Sequence, residues 1–177
     1  MESLYFIAII PPAKIQDEIT QLKVLMAERF NSKHALKSPP HITLHMPFKW
    51  KKNKLDLLKS VIKKINDQVN PFIINLNGFA FFEPRVVYVD VVKNAELLTL
   101  QKSVVDICKK NLKLNNANYK DRPFKPHVTI GFRDLRKPDF LLAKEYFQLR
   151  EFEAQFQVTE AYLMKYDGSK WNQLPYY

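Results

Sequence analysis

Two short stretches of this 177-residue chain carry the same set of reactive groups. Pro40-His41-Ile42-Thr43-Leu44 and Pro126-His127-Val128-Thr129-Ile130 both run proline, histidine, aliphatic, threonine, aliphatic. With five threonines and four histidines in the chain, two His-x-Thr pairs arise by chance on the order of half a percent of the time. In extended backbone, side chains alternate between faces. His41 and Thr43 then share one face, with Ile42 and Leu44 on the other, and the second stretch repeats this. Each stretch buries an aliphatic face and offers an imidazole beside a hydroxyl. Two imidazoles suit proton transfer near neutrality, because a free imidazole titrates near ~6.5. One takes a proton from a nucleophile while the other gives a proton to the leaving oxygen. The hydroxyls donate to an anion held between them. This set suits in-line displacement at phosphorus without a metal and without a covalent intermediate.

Further candidates lie nearby. His45 shares the face of His41 and Thr43 if the strand runs on, where it touches the ligand or stands as a polar strand end. It could also join His41 and His127 in a three-imidazole zinc site. Pro39, Pro40 and Pro47 argue against the helix on which such an i, i+4 pair binds metal, so no metal ligand and no cofactor is assigned. Phe48 and Trp50, among Lys49, Lys51 and Lys52, make either a base-stacking surface or a hydrophobic anchor in a solvated loop. Lys120, Arg122 and Lys125 precede the second motif, where they guide a polyanion or lie solvated. Phe82, Tyr88 and Phe132 fit the core better than a base platform. His34 belongs to a polar, exposed loop, and Cys108 to a helix stripe as a small core residue.

The elements that must hold these groups follow from hydrophobic periodicity. Strands are predicted over 4–10, 41–46, 72–82, 85–92, 127–132, 152–158, 161–166 and 171–176. Ile15, Ile19, Leu22, Leu25-Met26 and Phe30 mark an amphipathic helix, and further helices are predicted over 54–69, 94–114 and 138–149. Asn94 fits a helix N-cap. Glu83-Pro84 and Asp167-Gly168 are turn signals, and 115–125 reads as a loop. The order mixes hairpins with single helices, so a largely antiparallel α+β architecture is expected rather than a doubly wound sheet. No Gly/Ser-rich linker interrupts the chain, and 1–177 is expected to be one domain of two similar lobes. If the lobes pack about a pseudo-two-fold, both imidazole–hydroxyl pairs face one central cleft.

Composition narrows the chemistry further. A net charge of +10 favours an acidic partner, a nucleic acid or nucleotide, although solvated helix faces account for it equally well. Three scattered glycines leave no phosphate loop or dinucleotide fingerprint. One cysteine allows no internal disulfide and fits a reducing, cytoplasmic setting. No apolar run approaches the ~20 residues of a membrane span. A monomer without membrane attachment is expected.

The two motifs resemble those that define the two-histidine phosphoesterase superfamily, close to the LigT-like RNA 2′,3′-cyclic phosphodiesterases, also called 2′-5′ RNA ligases. Tyr5 to Pro12 is similar to that family's first strand and turn, Gly78 to Phe82 with Val86 to Val89 to its middle hairpin, and Pro123 to His127 to its approach to the second motif. Val158 to Leu163 and Trp171 are similar to its closing strands. The resemblance implies a bilobal α+β fold with a central cleft. It implies His41 and His127 as the acid/base pair, with Thr43 and Thr129 holding phosphate. It also implies hydrolysis of a 2′,3′-cyclic phosphate, or 2′-5′ phosphodiester chemistry, in RNA ends or nucleotides. The choice of acid and base depends on substrate orientation, with a lean to His127 as base and His41 as acid. Family members often carry an arginine soon after the second motif. Arg133 is the nearest here, and it shares the His127 face only if the strand continues without a bulge. The alternative function is a non-catalytic module that binds a nucleotide or RNA end on the same fold. A zinc-dependent hydrolase comes third.

Overall fold

The computed structural model describes residues 1–116 and 123–176. Lys120 and Arg122 lie outside them. Among the described residues, eight strands form two four-stranded antiparallel sheets, accompanied by four α-helices.

The first sheet has the order β2-β1-β7-β8, from Ile42–Lys51, Glu2–Ile9, Tyr162–Tyr166 and Trp171–Leu174. The second has the order β5-β4-β3-β6, from His127–Gly131, Val86–Val91, Phe72–Phe82 and Glu153–Val158. Each motif therefore belongs to an edge of its sheet, β2 beside β1 and β5 beside β4. The α+β class, the two sheets and the central cleft between the motifs match the expectation.

The apolar run near the start becomes β1 because it sits inside its sheet and is covered on both faces. Tyr5, Ile7 and Ile9 enter the main core, while Phe6 and Ala8 join a small second cluster with Met164 beside Trp171. Tyr5 through Ile9 are all buried.

The four helices are α1 (Ala13–Phe30), α2 (Leu55–Asn66), α3 (Ala95–Leu112) and α4 (Lys137–Gln148). Asn94 caps α3, its side chain accepting from Leu97 N–H at 2.7 Å. Pro138 lies in the first turn of α4, where its missing N–H costs nothing. The helices are exchanged between sheets. The helix that joins β1 to β2, α1, packs on β5 and α4, whereas α3, which joins β4 to β5, packs on β2 and α2. Each histidine strand is thus backed by a helix grown from the other sheet.

The main departure from expectation lies in β2. A strand was expected to stop at Pro47, but β2 continues to Lys51. Proline is tolerated because β2 is an edge strand and Pro47 falls within an irregularity of its pairing with β1. Two register shifts occur, as Ala8 faces Thr43, Ile7 faces His45 and Tyr5 faces Phe48. A 3₁₀ turn over His34–Lys37, absent from the sequence-based expectation, precedes β2.

Candidate active site

A cleft of about 530 Å³ lies between the sheets and is lined by all four motif residues, His41, Thr43, His127 and Thr129. The aliphatic partners face the other way, with Ile42, Leu44, Val128 and Ile130 at 1% exposure or less. Period two in the two strands thus accomplishes the division that the sequence pattern demands.

The two imidazoles are tethered alike. His41 Nδ1 lies 2.8 Å from the Pro39 carbonyl, and His127 Nδ1 lies 2.7 Å from the Lys125 carbonyl. A carbonyl only accepts, so Nδ1 carries the proton in each ring. Each neutral ring is then left with Nε2 as a free acceptor. In both cases the carbonyl belongs to the residue two positions earlier, so the pseudo-symmetry extends to single hydrogen bonds.

The electrostatics of the two rings differ. Burial pushes His41 down to about 4, the Lys23 cation and His127 push the same way, and the Pro39 hydrogen bond opposes them. His127 is also lowered, first by burial. Its hydrogen bond to the Lys125 carbonyl raises it, the Lys125 cation lowers it, and Asp90 raises it. Asp90 stands directly opposite His127 in the β4–β5 ladder. At neutral pH His41 is unprotonated.

Aromatic rings flank both histidines. Phe6 lies 4.8 Å from His41 and 4.7 Å from Trp171, centroid to centroid. Phe82 meets His127 edge-on at 5.0 Å, with Tyr88 beneath at 5.2 Å. Phe6, Phe82, Phe132, Tyr166 and Trp171 all line the cleft, whereas Tyr88 is fully buried. Phe82 and Phe132, expected in the core, therefore contribute to the cleft wall.

Arg133 reaches the cleft, but not by continuing β5. The strand ends at Gly131, where a Cβ would sit 2.4 Å from Met26 Cε. Arg133 then adopts a left-handed φ of 59°, a conformation uncommon for a non-glycine residue. The next residue, Asp134, accepts from Ser32 Oγ at 2.9 Å and from the backbone N–H groups of Lys33 and His34 at 2.8 and 2.9 Å. These bonds fasten the exit of β5 to the 3₁₀ turn that brings His34 and Lys37 to the cleft. His34, expected to be exposed in solvent, is half-buried there and meets Phe132 edge-on at 5.0 Å.

His45 and Phe48 are not brought to the cleft. The register shifts in β2 turn both inward, to 1% and 9% exposure, where their rings meet at 5.3 Å. His45 Nδ1 is taken by the Met46 carbonyl. The expectation that His45 shares the His41 face fails because a bulge reverses alternation, and with it fails a zinc site built from His41, His45 and His127. Trp50 is half-buried against the core, its indole N–H donating to the Lys54 carbonyl. Lys125 places its ammonium over the Phe82 and Tyr88 rings, at 5.2 and 5.5 Å. Cys108 is buried in the core as expected, its thiol pushed up to about 12.

Sequence reasoning missed Trp171, Tyr166, Phe6, His34 and Lys37 as cleft residues, and Asp134 behind them. It also missed Lys23. The buried stripe of α1 is Ile15, Ile19, Lys23, Met26 and Phe30. A lysine in step with that spacing was a readable signal.

The fold and the paired histidines define the class. The sequence model of the 2′-5′ RNA ligase superfamily matches residues 11–170 of this chain. The chain belongs to that superfamily. Its relatives include a provisionally named phosphoesterase of Oceanobacillus iheyensis, 29% identical, covering 94% of this chain and 92% of the relative. Another, in Geobacillus kaustophilus, is 30% identical, covering 88% of this chain and 82% of the relative. Among solved structures, E. coli LigT complexed with 3′-AMP superposes with a TM-score of 0.68 at 19% identity, covering 99% and 97% of the two chains. A Thermus thermophilus protein gives 0.69 at 19% identity, covering 97% and 95%. The names of the relatives support a phosphoesterase. No helix among the described residues is long and apolar enough to cross a membrane.

Proposed function

We propose that the protein is a metal-independent phosphodiesterase that opens 2′,3′-cyclic phosphates, or cleaves 2′-5′ linkages, in RNA ends or nucleotides. The observation that carries this is the matched tethering of His41 and His127, each held through Nδ1 with Nε2 left for the cleft. One imidazole takes a proton from water as the water oxygen bonds to phosphorus. The ring P–O bond breaks, and the departing ribose oxygen takes the Nε2 proton of the other ring, which enters the step as imidazolium. Thr43 and Thr129 donate to the non-bridging oxygens. Water is consumed, a phosphomonoester forms, and the two histidines end with their protonation exchanged until solvent resets them.

The cleft suits a nucleotide in other respects. Trp171 and Phe82 offer apolar surface beside the phosphate position, and a base stacked on such a ring gains ~1–3 kcal/mol. Lys37 and Arg133 supply positive charge at the same cleft. Structures of E. coli LigT hold 3′-AMP, ATP and NADP+, which supports a nucleotide as the ligand class here.

The test is hydrolysis of the four nucleoside 2′,3′-cyclic phosphates in excess chelator, by wild type and by His41→Ala and His127→Ala. Turnover that disappears in both variants is expected. Turnover that persists in either variant, or that depends on added metal, overturns the mechanism. Tight nucleotide binding with no turnover by wild type would leave a binding module.

A further inference from the structure

Lys23 is the one lysine among the described residues that is buried, at 2% exposure. It lies in the apolar stripe of α1, between Ile19 and Met26, where burial of a charge is costly unless the charge is paired and hydrogen-bonded. No salt bridge among the described residues includes it. Its ammonium instead donates to two backbone carbonyls, Ala35 O at 3.0 Å and Ser38 O at 2.8 Å. Those carbonyls bracket the end of the 3₁₀ turn, and the next carbonyl along, Pro39 O, is the one that holds His41 Nδ1. The ammonium thus grips the segment that sets the tautomer and direction of the His41 ring, and it stands close enough to disfavour a proton there.

Nothing equivalent backs His127 among the described residues. Its tether comes from Lys125, which is exposed and places its ammonium over the Phe82 and Tyr88 rings. Its ladder partner is the carboxylate Asp90. A lysine cation disfavours a proton on both rings, and on His127 the Lys125 effect outweighs that of Asp90, but the Lys125 ammonium is exposed and screened by solvent whereas Lys23 is buried. Environments that separate two titrating groups assign their roles. The other charged or titratable groups lining the cleft are His34, Lys37, Arg133 and Tyr166.

We infer that Lys23 is a positioning residue that fixes the His41 ring through the segment it holds, making His41 the proton acceptor and His127 the proton donor of the pair. This reverses the lean taken from the sequence, and it rests on the proposed phosphodiesterase reaction. Burial pushes Lys23 itself down to about 7, so its hold on His41 is strongest on the acid side of neutrality. That is the range in which a base would otherwise be lost to protonation.

Two measurements test this. The first needs no substrate: imidazole titration by NMR in wild type, Lys23→Met and Lys23→Gln, with the His41 signal assigned by its loss in His41→Gln. In wild type His41 is expected to titrate well below the ordinary histidine range. Both variants are expected to move it upward while His127 stays nearly in place. The second is the pH dependence of kcat/KM on a nucleoside 2′,3′-cyclic phosphate. The acid limb is expected to move up in both variants and the alkaline limb to stay. At neutral pH kcat is expected to fall by on the order of ten- to a hundredfold with little change in KM, the scale set by a small misplacement of a catalytic group. Lys23→Arg, which keeps the charge, is expected to restore the acid limb. Lys23→Gln retains a donor for the carbonyls if Lys23→Met does not fold. A folded variant whose His41 titration matches wild type overturns the inference, as does movement of the alkaline limb alone. Wild type inert on every cyclic phosphate overturns the proposed function instead, and the NMR titration still decides the role of Lys23.

Discussion

Ser32 and Asp134 are 102 positions apart in sequence and are joined by a 2.9 Å hydrogen bond. Ser32 is fully buried, and the carboxylate that meets it also takes the next two backbone N–H groups. One side chain from the exit of the second motif therefore fixes the wall that precedes the first. Asp134→Ala removes all three bonds and leaves a buried hydroxyl without its acceptor. The expected loss of stability is roughly 1–3 kcal/mol, measured by urea denaturation. A fall in kcat/KM on cyclic phosphates should accompany it, because His34, Lys37 and Arg133 lose their common anchor. Unchanged kcat/KM in the folded variant would show that the anchor is not needed for turnover.

Of the two readings open for Phe48 the structure favours the hydrophobic anchor, and Trp171 stands in the cleft wall instead. Phe48→Ala empties a buried site and should cost about 3–5 kcal/mol, with KM for nucleotide unchanged in the folded protein. Trp171→Ala should leave the denaturation midpoint close to wild type and raise KM roughly 5- to 150-fold, the span of one lost stacking contact. Paired denaturation and kinetics on both variants check this. The opposite pattern would return Phe48 to the binding surface.

Gly131 ends β5 against Met26 of α1. In Gly131→Ala, the new methyl would meet Met26 Cε at 2.4 Å and Ser32 Oγ at 3.4 Å. Overpacking of this kind costs typically about 1–3 kcal/mol. Because Met26 is fully buried, shortening it is also destabilising, but the two changes should be non-additive. A double-mutant cycle with Met26→Ala should recover part of the Gly131→Ala loss, and strict additivity would place the strain elsewhere.

Stability should depend on pH in two windows. His41 falls from 6.5 in the unfolded chain to about 4 in the folded protein. Between these values the unfolded chain binds the extra proton, so stability is lost as pH falls from 6.5 towards 4, by about 3 kcal/mol from this group. The lowered values of His34, His45 and His127 act in the same direction. Lys23 falls from 10.5 to about 7. Above 7 the folded state sheds a proton that the unfolded chain keeps, so stability rises by roughly 1.4 kcal/mol per pH unit. Above 9 the buried Cys108 opposes this rise, because the unfolded thiol ionises while the folded one is held up to about 12. Urea midpoints from about pH 4 to 9 should therefore climb in wild type. In Lys23→Met the slope between about 7 and 9 should vanish, and the acid slope should narrow as His41 moves up toward its ordinary value.

The chemistry was legible because it depends on local rules. Period two alone places His41 with Thr43 and His127 with Thr129, and a duplicated pattern argues against an accidental histidine. Helix periodicity and the Asn94 cap similarly located α1 to α4 within a few residues. Interactions between distant segments were not legible. Nothing local in His41 to Phe48 announces the two register shifts that rotate His45 and Phe48 inward, since a bulge is decided by pairing with β1. Trp171 reaches the cleft only because β8 pairs with β7 in the first sheet, although it lies 130 residues from His41. His34 belongs to a polar stretch that becomes a wall only when Asp134 binds its backbone. Lys23 was the exception, a charge in step with the buried face of α1 and readable as an anomaly from its spacing alone.

The exchange of α1 and α3 between the sheets has a mechanical result. A cleft between two independent lobes can gape like a shell, each half swinging as a rigid plate. Here such a swing would pull α1 off β5 and α3 off β2 together, exposing apolar surface on both sides at once. The linkage behaves as crossed struts, tying each imidazole strand to a helix that belongs to the opposite sheet.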